Sequence, residues 1–526
     1  MSETVEIYDV TLRDGTQGED ISFSVEGKLQ ITEKLADLGV NYIEGGWPGS
    51  NDRDREYFER ALKLNTANAK VSAFSSTRRA GVSCEGDANI QSLLQTGVSV
   101  AAIVGKSWDF QVETVLETTE DENLAMISDT VEYLKERMET VFFDAEHFFD
   151  GFKANPDYAI AAARAAIDAG ADAVVMCDTN GGSMPWEVEQ TVLETKKLLG
   201  GDPPLGIHFH NDTENGVANT LYAIKNGVRH VQGTMNGYGE RCGNANLCSI
   251  IPNICFKLGM DCITNGKVEK LYETAHFINE LANLNPLKKK AFVGASAFAH
   301  KGGLHASAVR KNPETYEHID PSLVGNRRRV LVSDLSGRAN IISKAAEFGV
   351  EIDSNDKRVV EILQNLKELE NKGYEFERAG ASFELLVRKH LGLYKKLFFV
   401  ENIKTAVERE GRDGKPISSA EVSVKVDEKF EKVKALGNGP VNALDKALRE
   451  ALERFFPTIR EMTLKDYKVR VVSSIKGTDS VVRVLVESGD GTTVWNTVGV
   501  SENVVEASWK ALIDSIDYKL LKDALS

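Results

Sequence analysis

Residues 140–180 read TVFFDAEHFFDGFKANPDYAIAAARAAIDAGADAVVMCDTN and contain the pattern that decides the fold. The apolar run Thr140–Glu146 predicts a buried strand, and the alanine-rich stretch Tyr158–Asp168 predicts a helix that follows it. Gly170 comes next, at the place where a left-handed helix cap favours glycine. Ala173–Asp178 then predicts a second strand. A strand, a helix and a second strand in this order form a unit of two parallel strands joined by a helix.

The same alternation extends over the first 240 residues. The predicted strands are Val5–Leu12, Asn41–Gly45, Lys70–Ser75, Ser99–Gly105, Thr140–Glu146, Ala173–Asp178, Leu205–Asn211 and His230–Met235. The predicted helices between them are Val25–Leu38, Arg53–Leu64, Leu124–Arg137, Tyr158–Asp168, Pro185–Leu199 and Thr213–Asn226. Eight strands that alternate with helices over this length predict one (β/α)8 TIM barrel. A doubly wound open sheet is the alternative, but it favours GxGxxG after its first strand, where Thr11–Gly18 reads TLRDGTQG.

The rest of the chain departs from the barrel pattern and predicts further domains. After a barrel of residues 1–278, residues 279–385 predict a helical linker of small subdomains. Residues 386–526 contain segments that alternate like half-buried strands, namely Val422–Val426, Tyr467–Val472, Val481–Val486 and Thr493–Val498. Val441–Leu452 and Val505–Ile516 align as an internal repeat. We therefore expect an α/β chain: a TIM barrel, linker subdomains and a C-terminal α+β domain with a doubled βββα unit.

Composition excludes several classes of protein. The chain has 526 residues, of which 42% are hydrophobic and 27% charged, as in folded globular proteins. Its net charge of −16 would repel a phosphate backbone or an anionic lipid surface, so we expect no nucleic-acid or membrane partner. The apolar runs are far shorter than the roughly 18 residues that span a bilayer, and residues 1–30 lack a signal-peptide pattern. These features predict a cytoplasmic protein.

The six cysteines form no CxxC pair. A chain of this length can bury a large core, so it needs no disulfide framework. Four of the cysteines lie between residues 242 and 262, which leaves a metal cluster as one interpretation. The other interpretation, which we favour, is that they are small buried residues.

Polar side chains gather at the C-terminal ends of the predicted strands, where TIM barrels place their reactive groups. Residues i and i+2 of a strand face the same side, so His208 and His210 are both expected in the barrel mouth. With oxygens from Asp14 and Asn244 they would form a mixed nitrogen and oxygen site suited to Zn²⁺, Mn²⁺, Co²⁺ or Mg²⁺. The alternative is that the two histidines are merely polar residues at a strand end.

Two further residues at strand ends suit an anionic substrate. Arg13 would supply fixed positive charge for a carboxylate or a developing oxyanion, unless it forms only a structural ion pair with Glu44 or Asp9. Thr179 could donate a hydrogen bond to a substrate carboxylate, or it could cap the turn that follows it.

Several long motifs resemble one known superfamily. DVTLRDGTQ at Asp9–Gln17, HFHNDTEN at His208–Asn215 and NGYGERCGNANL at Asn236–Leu247 are similar to the metal-dependent barrels that carry out acyl-CoA Claisen condensations. This DRE-TIM metallolyase superfamily contains isopropylmalate, homocitrate and citramalate synthases and related lyases. The resemblance continues beyond the barrel, through Phe298–Val309, Thr315–Glu317 and Leu331–Asn340, into the C-terminal domain.

Within the superfamily, three segments resemble the citramalate synthases more than the isopropylmalate synthases. They are EGGWPGSN at Glu44–Asn51, FDAEHFFDG at Phe143–Gly151 and GLHASA at Gly303–Ala308. The resemblance implies condensation of acetyl-CoA with pyruvate to citramalate and CoA, in isoleucine biosynthesis. It leaves three alternatives: 2-isopropylmalate synthesis from 2-oxoisovalerate, a carbon–carbon lyase of the same superfamily, and a non-catalytic amino-acid sensor that keeps the barrel as a scaffold.

The resemblance also implies roles for individual residues. The metal ligands would be Asp14, His208, His210 and Asn244, binding a divalent Mn²⁺, Mg²⁺, Co²⁺ or Zn²⁺. The catalytic residues would be Arg13, Glu146, His305 and Tyr316. The substrate contacts would be Arg13, Gln17, Glu44 and Thr179. Acetyl-CoA would be the co-substrate, and the doubled C-terminal domain would form a homodimer and bind isoleucine as a feedback inhibitor.

Overall fold

The computed structural model describes residues 4–66, 68–264, 267–331, 338–353, 356–409, 415–472 and 480–525. Residues 332–337 of the motif Leu331–Asn340 therefore lie outside the described residues. The chain forms two compact units: residues 1–298 with 319–327, and residues 299–318 with 328–526. Among the described helices, none combines the length and the apolar character needed to cross a membrane.

The first unit contains a closed barrel of eight parallel strands. They are β1 (Glu6–Asp9), β2 (Tyr42–Glu44), β3 (Lys70–Ser76), β4 (Val100–Lys106), β5 (Thr140–Glu146), β6 (Ala173–Asp178), β7 (Leu205–Phe209) and β8 (His230–Gly233). β8 pairs with β1, with Gln232 opposite Tyr8, and this pairing closes the sheet. The predicted TIM barrel is confirmed, and the alternative of an open doubly wound sheet is wrong because the sheet has no edge strand.

Helices connect the strands and surround the barrel. They are α1 (Val25–Leu38), α2 (Asp52–Ala61), α3 (Ala88–Gln95), α4 (Asp109–Gln111), α5 (Glu120–Lys135), α6 (Phe148–Ala154), α7 (Pro156–Asp168), α8 (Pro185–Leu199), α9 (Gly216–Lys225), α10 (Leu247–Asn253) and α11 (Leu271–Leu281). The six predicted helices correspond to α1, α2, α5, α7, α8 and α9. Gly170 follows α7 with a φ of 95°, which confirms the predicted left-handed cap, and Gly39 follows α1 in the same conformation with a φ of 101°.

Four strands, β1, β2, β7 and β8, end earlier than predicted, and the ends of β1 and β7 shape the barrel mouth. β1 stops at Asp9 rather than Leu12, because the Asp9 carboxylate accepts hydrogen bonds of 2.9 Å from the backbone N–H and the hydroxyl of Thr11. β7 stops at Phe209 rather than Asn211, and His210 instead forms an isolated bridge with Asn244. The chain therefore leaves β1 shortly before Asp14 and leaves β7 directly before His210, and both of these residues are candidate metal ligands.

Apolar side chains fill the barrel interior. Tyr8, Phe74, Val100 and Phe142 belong to one buried cluster inside the sheet. A much larger cluster lies between the strands and the surrounding helices. The barrel is thus a packed core rather than a pore, and polar groups are left to line one end of it.

The second unit contains the linker helices and the C-terminal domain. Its strands are β9 (Ala299–His300), β10 (Arg329–Val330), β11 (Phe399–Glu408), β12 (Ile417–Val426), β13 (Lys429–Gly437), β14 (Thr463–Val471), β15 (Val482–Gly489) and β16 (Val494–Ser501). Its helices are α12 (Gly303–Lys311), α13 (Arg338–Glu347), α14 (Arg358–Asn371), α15 (Gly380–Leu391), α16 (Pro440–Glu453) and α17 (Val504–Leu525).

The C-terminal domain has the predicted doubled unit. β11, β12 and β13 form one antiparallel sheet followed by α16, and β14, β15 and β16 form a second sheet followed by α17. α15 crosses the expected boundary between residues 385 and 386, so that boundary does not fall in a loop. The division into three domains remains a prediction.

Candidate active site

Polar residues line a cavity of about 600 Å³ at the C-terminal ends of the barrel strands. Of the residues predicted from the sequence, those that line it are Arg13, Asp14, Gln17, Glu146, Thr179, His208 and His210. The rest of the wall includes Trp47, Phe74, Lys106 and Asp144. Residues at or after all eight strands, the last being Glu240 after β8, therefore converge on one space.

Asp14, His208 and His210 form a buried cluster that could hold a metal ion. One candidate ligand atom from each lies within 4.8 Å of the others, and His208 Nε2 is 3.7 Å from Asp14 Oδ2. Asp14 Oδ1, His210 Nδ1 and Asn244 Oδ1 are buried and have no hydrogen-bond partner among the described residues. A divalent metal would satisfy such orphaned donor atoms, so this set of ligands fits one.

The cysteine stretch does not provide a second metal site. In the part of the chain that the structure describes, the Asp14 cluster is the one group of three or more potential ligands at metal-binding distance. Cys255 Sγ and Cys262 Sγ lie 3.5 Å apart, while Cys242 is exposed and Cys248 is buried. The interpretation of a four-cysteine metal cluster is wrong for these residues.

A glycine lets Asn244 approach the cluster. Gly239 has a φ of 145°, and a Cβ atom built there would lie 2.7 Å from Asn244 Oδ1. Any larger residue would clash with the amide oxygen and strain the backbone. The loop after β8 therefore depends on this glycine to place the amide oxygen of Asn244 as a fourth donor atom.

The electrostatics of the cluster favour metal binding. Burial alone would raise the pKa of Asp14, but Arg13 and the two imidazoles lower it to about 2. Burial, followed by the neighbouring His208, lowers the pKa of His210 to about 4, and burial also lowers the pKa of His208. At neutral pH the cluster thus presents a carboxylate and two neutral imidazoles, the forms that ligate metals.

Arg13 is held between two carboxylates at the edge of the cavity. Its Nε donates to Glu44 Oε2 at 2.5 Å and its Nη1 donates to Asp14 Oδ2 at 2.8 Å. Its guanidinium lies 3.9 Å from the centre of the Phe74 ring. Nη2 makes no hydrogen bond to the described residues, so one end of the fork is left for a ligand.

Glu44 lies behind Arg13 and does not line the cavity. Its side chain is fully buried, and Tyr8 donates its hydroxyl to Glu44 Oε1 at 3.0 Å. An ion pair with Glu44 was the alternative role of Arg13. In the structure Arg13 forms this ion pair and also lines the cavity. This geometry suits Glu44 to positioning Arg13 rather than to touching a substrate.

Glu146 and Thr179 face the cavity from neighbouring strand ends. Lys106, at the end of β4, forms an ion pair with Glu146, at the end of β5. The hydroxyl oxygen of Thr179 accepts the backbone N–H of His147 at 2.9 Å, so its own proton is available to a ligand. This bond joins the ends of β5 and β6 and is not the cap of the following turn that the sequence left open as the alternative role of Thr179.

Three cavity or near-cavity residues were missed by the sequence reasoning: Lys106, Asp144 and Gln232. Asp144 precedes Glu146 by two residues on β5, and Gln232 follows His230 by two on β8. The rule that found His208 and His210 would have found both, because residues two apart on a strand share a face. Burial, reinforced by Glu44, raises the pKa of Asp144 to about 7.

His305 and Tyr316 belong to the second compact unit. Their rings stack with centroids 4.1 Å apart, and Tyr316 is 44% exposed. Their contribution to the cavity in the barrel remains a prediction.

Three family models match consecutive parts of the chain. A model described as HMGL-like matches residues 4–278, and one described as homocitrate synthase post-HMGL domain-like matches residues 292–374. The LeuA allosteric (dimerisation) domain matches residues 377–520.

Curated relatives match over almost their whole length. An (R)-citramalate synthase of Geobacter sulfurreducens is 55% identical over 98% of this chain and 98% of its own length. One of Aquifex aeolicus is 52% identical over 99% of both chains. A 2-isopropylmalate synthase of Methanocaldococcus jannaschii is 33% identical over 99% of this chain and 95% of its own.

Proposed function

Because the chain belongs to the (R)-citramalate synthase family, we propose that it condenses acetyl-CoA with pyruvate to form (R)-citramalate and free CoA. The observation that carries this proposal is the 55% identity to a citramalate synthase over 98% of both chains. 2-Isopropylmalate synthesis is less well supported, because that relative is only 33% identical. A degradative lyase is disfavoured by the match of residues 377–520 to an allosteric domain.

The cavity has the residues that such a condensation needs for the keto acid. Asp14, His208, His210 and Asn244 would hold the divalent metal of this family, which we propose to be Mn²⁺, Mg²⁺, Co²⁺ or Zn²⁺. When bound, the metal supplies a Lewis acid that polarises the keto group of pyruvate. The Thr179 hydroxyl donates to a carboxylate oxygen of pyruvate, and the unpaired Nη2 of Arg13 stabilises negative charge on the former keto oxygen.

Glu146 is placed to act on acetyl-CoA. The acetyl methyl group is a weak acid, so a base must take its proton while positive charge stabilises the enolate oxygen. Glu146 takes that proton, and Lys106 beside it adds positive charge to the same wall. The enolate carbon bonds to the keto carbon of pyruvate, whose oxygen takes up a proton. Water then cleaves the thioester, so that CoA leaves and a carboxylate forms.

The linker residues complete the proposal. His305 shares the acid and base work with Glu146, and Tyr316 orients a water or a substrate oxygen. We also propose that Gln17 contacts substrate at the cavity wall. These assignments rest on the motif resemblance and on the ring stacking of His305 with Tyr316.

The C-terminal domain belongs to an allosteric and dimerising class. We propose that the chain forms a homodimer in the cytoplasm, works in isoleucine biosynthesis and is inhibited by isoleucine. Citramalate leads towards isoleucine, so the end product would control the condensation that commits carbon to it.

A panel of keto acids tests the proposal. Release of free thiol from acetyl-CoA is measured with pyruvate, 2-oxobutyrate, 2-oxoisovalerate and 2-oxoglutarate. Pyruvate should give the highest kcat/KM, and 2-oxobutyrate a lower one, because one methylene changes selectivity by about 10- to 200-fold. A preference for 2-oxoisovalerate would restore isopropylmalate synthesis, and no thiol release with any keto acid would favour the lyase or the sensor.

A further inference from the structure

Gln232 joins the metal cluster to a carboxylate on the other side of the barrel. His208 Nδ1 and Gln232 Oε1 are 2.9 Å apart, and Gln232 Nε2 donates to Asp144 Oδ1 at 2.8 Å. The three residues are 5%, 1% and 3% exposed, so water does not compete for these bonds. They lie on β7, β8 and β5, and His208 pairs directly with Gln232 in the sheet register.

The two bonds of Gln232 have a fixed direction. Burial raises the pKa of Asp144 to about 7, and above that pH its carboxylate only accepts hydrogen bonds, so it turns the amide NH2 of Gln232 towards itself. The amide oxygen must then face His208, where it can only accept. His208 Nδ1 therefore carries the proton, and Nε2 keeps its lone pair.

We propose that Gln232, oriented by Asp144, is a positioning residue that holds His208 in the tautomer whose Nε2 faces the metal. This inference deepens the proposed function and rests on its metal site. His208 Nε2 already lies 3.7 Å from Asp14 Oδ2, on the side where the other ligands gather. Partners that fix a ligand histidine in this way raise metal affinity by about 10- to 100-fold.

The contrast with His210 supports the assignment. His210 Nδ1 is buried and has no hydrogen-bond partner among the described residues. Neither imidazole nitrogen of His210 makes a hydrogen bond to another described residue, so of these two ligands His208 is the one whose second nitrogen the protein fixes. The two bonds of Gln232 connect a candidate metal ligand, His208, to a carboxylate, Asp144, which is the arrangement expected of a residue that orients a ligand.

The test uses Co²⁺ as the probe and affinity as the readout. Gln232→Leu keeps the approximate side-chain size but removes both hydrogen bonds, so Co²⁺ binding measured by competition with a chromogenic chelator should weaken by about 10- to 100-fold. The visible absorption of bound Co²⁺ should change as well. Gln91→Leu is the matched control, because Gln91 loses an amide bonded to the Cys84 carbonyl and does not line the cavity.

A second pair of variants separates tautomer control from packing. Asp144→Leu frees the amide of Gln232 to rotate and should give a smaller loss of affinity. The double variant Asp144→Asn/Gln232→Glu exchanges donor and acceptor between the two residues but still presents an acceptor to His208. Its Co²⁺ affinity should return towards that of the native chain. If Gln232→Leu does not fold, Gln232→Met takes its place.

The Co²⁺ affinities of the variants decide whether Gln232 positions His208. Native affinity in Gln232→Leu overturns the inference, and so does a folded exchange variant that binds as weakly as Gln232→Leu. Failure of the native chain to bind Co²⁺ overturns both the inference and the metal site. If the affinities follow the expectation but acetyl-CoA and pyruvate are not condensed, the inference stands and the proposed function fails.

Discussion

Arg13 shows how a buried cation can be kept charged and held at the edge of a cavity. Burial alone would lower its pKa, but the carboxylates of Glu44 and Asp14 raise it above its ordinary value. These two partners occupy Nε and Nη1, and Phe74 covers the planar face. What remains is the second N–H of Nη1 and the two N–H groups of Nη2, all held in a fixed plane, which suits an oxyanion better than a mobile lysine would.

The first prediction at the residue scale concerns the metal. Chelation of the native chain should abolish condensation, and Mn²⁺, Mg²⁺ or Co²⁺ should restore it. His210→Ala should weaken metal binding by more than the 10- to 100-fold typical of residues that only support a ligand. Calorimetric titration with Mn²⁺ measures this, with His276→Ala, a histidine stacked on Tyr272, as the control. Full activity of chelated His210→Ala would remove the proposed site.

The second residue-scale prediction concerns the base. Glu146→Gln keeps the shape but cannot take a proton, so kcat should fall by at least about 100-fold. The KM for pyruvate should change little, because Glu146 is not among the proposed pyruvate contacts. Glu240→Gln, at an exposed position on the cavity wall, is the control. Near-normal turnover by Glu146→Gln would transfer the base role to His305.

At the scale of elements, the repeating pattern made the barrel predictable, while the site was only partly so. Strands and helices with regular apolar spacing, such as Val25–Leu38 and Thr140–Glu146, have the predicted bounds. α3 was missed because it has only eight residues, too short for a clear periodicity. Two contacts in the site could not be predicted: the one between Glu44 and Arg13, and the one between Lys106 and Glu146. Each depends on which neighbouring strand a side chain faces. Local spacing carries no information about that.

α15 is the element that ties the linker helices to the C-terminal sheets. The hydroxyl of Ser382 donates to Asp514 Oδ2 at 2.7 Å and accepts the backbone N–H of Val498 at 3.1 Å. Tyr518 also donates to Glu384 Oε2 at 3.1 Å. α15 therefore bonds to both β16 and α17.

The third prediction tests this connection. Ser382→Ala removes the hydroxyl that bonds to the buried N–H of Val498 and to Asp514 Oδ2, although Lys389 still pairs with Asp514, so the free energy of unfolding should fall by about 1–3 kcal/mol. Urea unfolding followed by tryptophan fluorescence, to which Trp495 and Trp509 contribute from this unit, measures the change. Ser322→Ala, an exposed serine bonded to nearby Asp320, should have little effect. Equal stability of the two variants would show that Ser382 does not join the elements.

At the scale of the second unit, one hydrophobic cluster is shared by the linker helices and the second C-terminal sheet. It contains Ile341 from α13, Ile362 from α14, Phe383 from α15, and Val498 and Val500 from β16. α13 also packs against α12, the helix that carries His305. A rearrangement of the sheet can therefore reach His305 through packed side chains, and cutting the chain at residue 385 would split α15 and expose this cluster.

The last prediction concerns regulation of the whole molecule. Isoleucine should inhibit the full-length chain more strongly than leucine or valine, because an effector changes turnover by binding two conformations unequally. Val498→Ala should bind isoleucine but be inhibited less, since it loosens the shared cluster that would carry the change to α12. Val424→Ala is the matched control, a buried valine of β12 that belongs to a different hydrophobic cluster. Acetyl-CoA turnover is measured at saturating and sub-saturating pyruvate, with isoleucine binding measured separately by calorimetry. Equal inhibition of the two variants would place the coupling elsewhere, and no inhibition of the native chain would leave the domain as a dimerisation module.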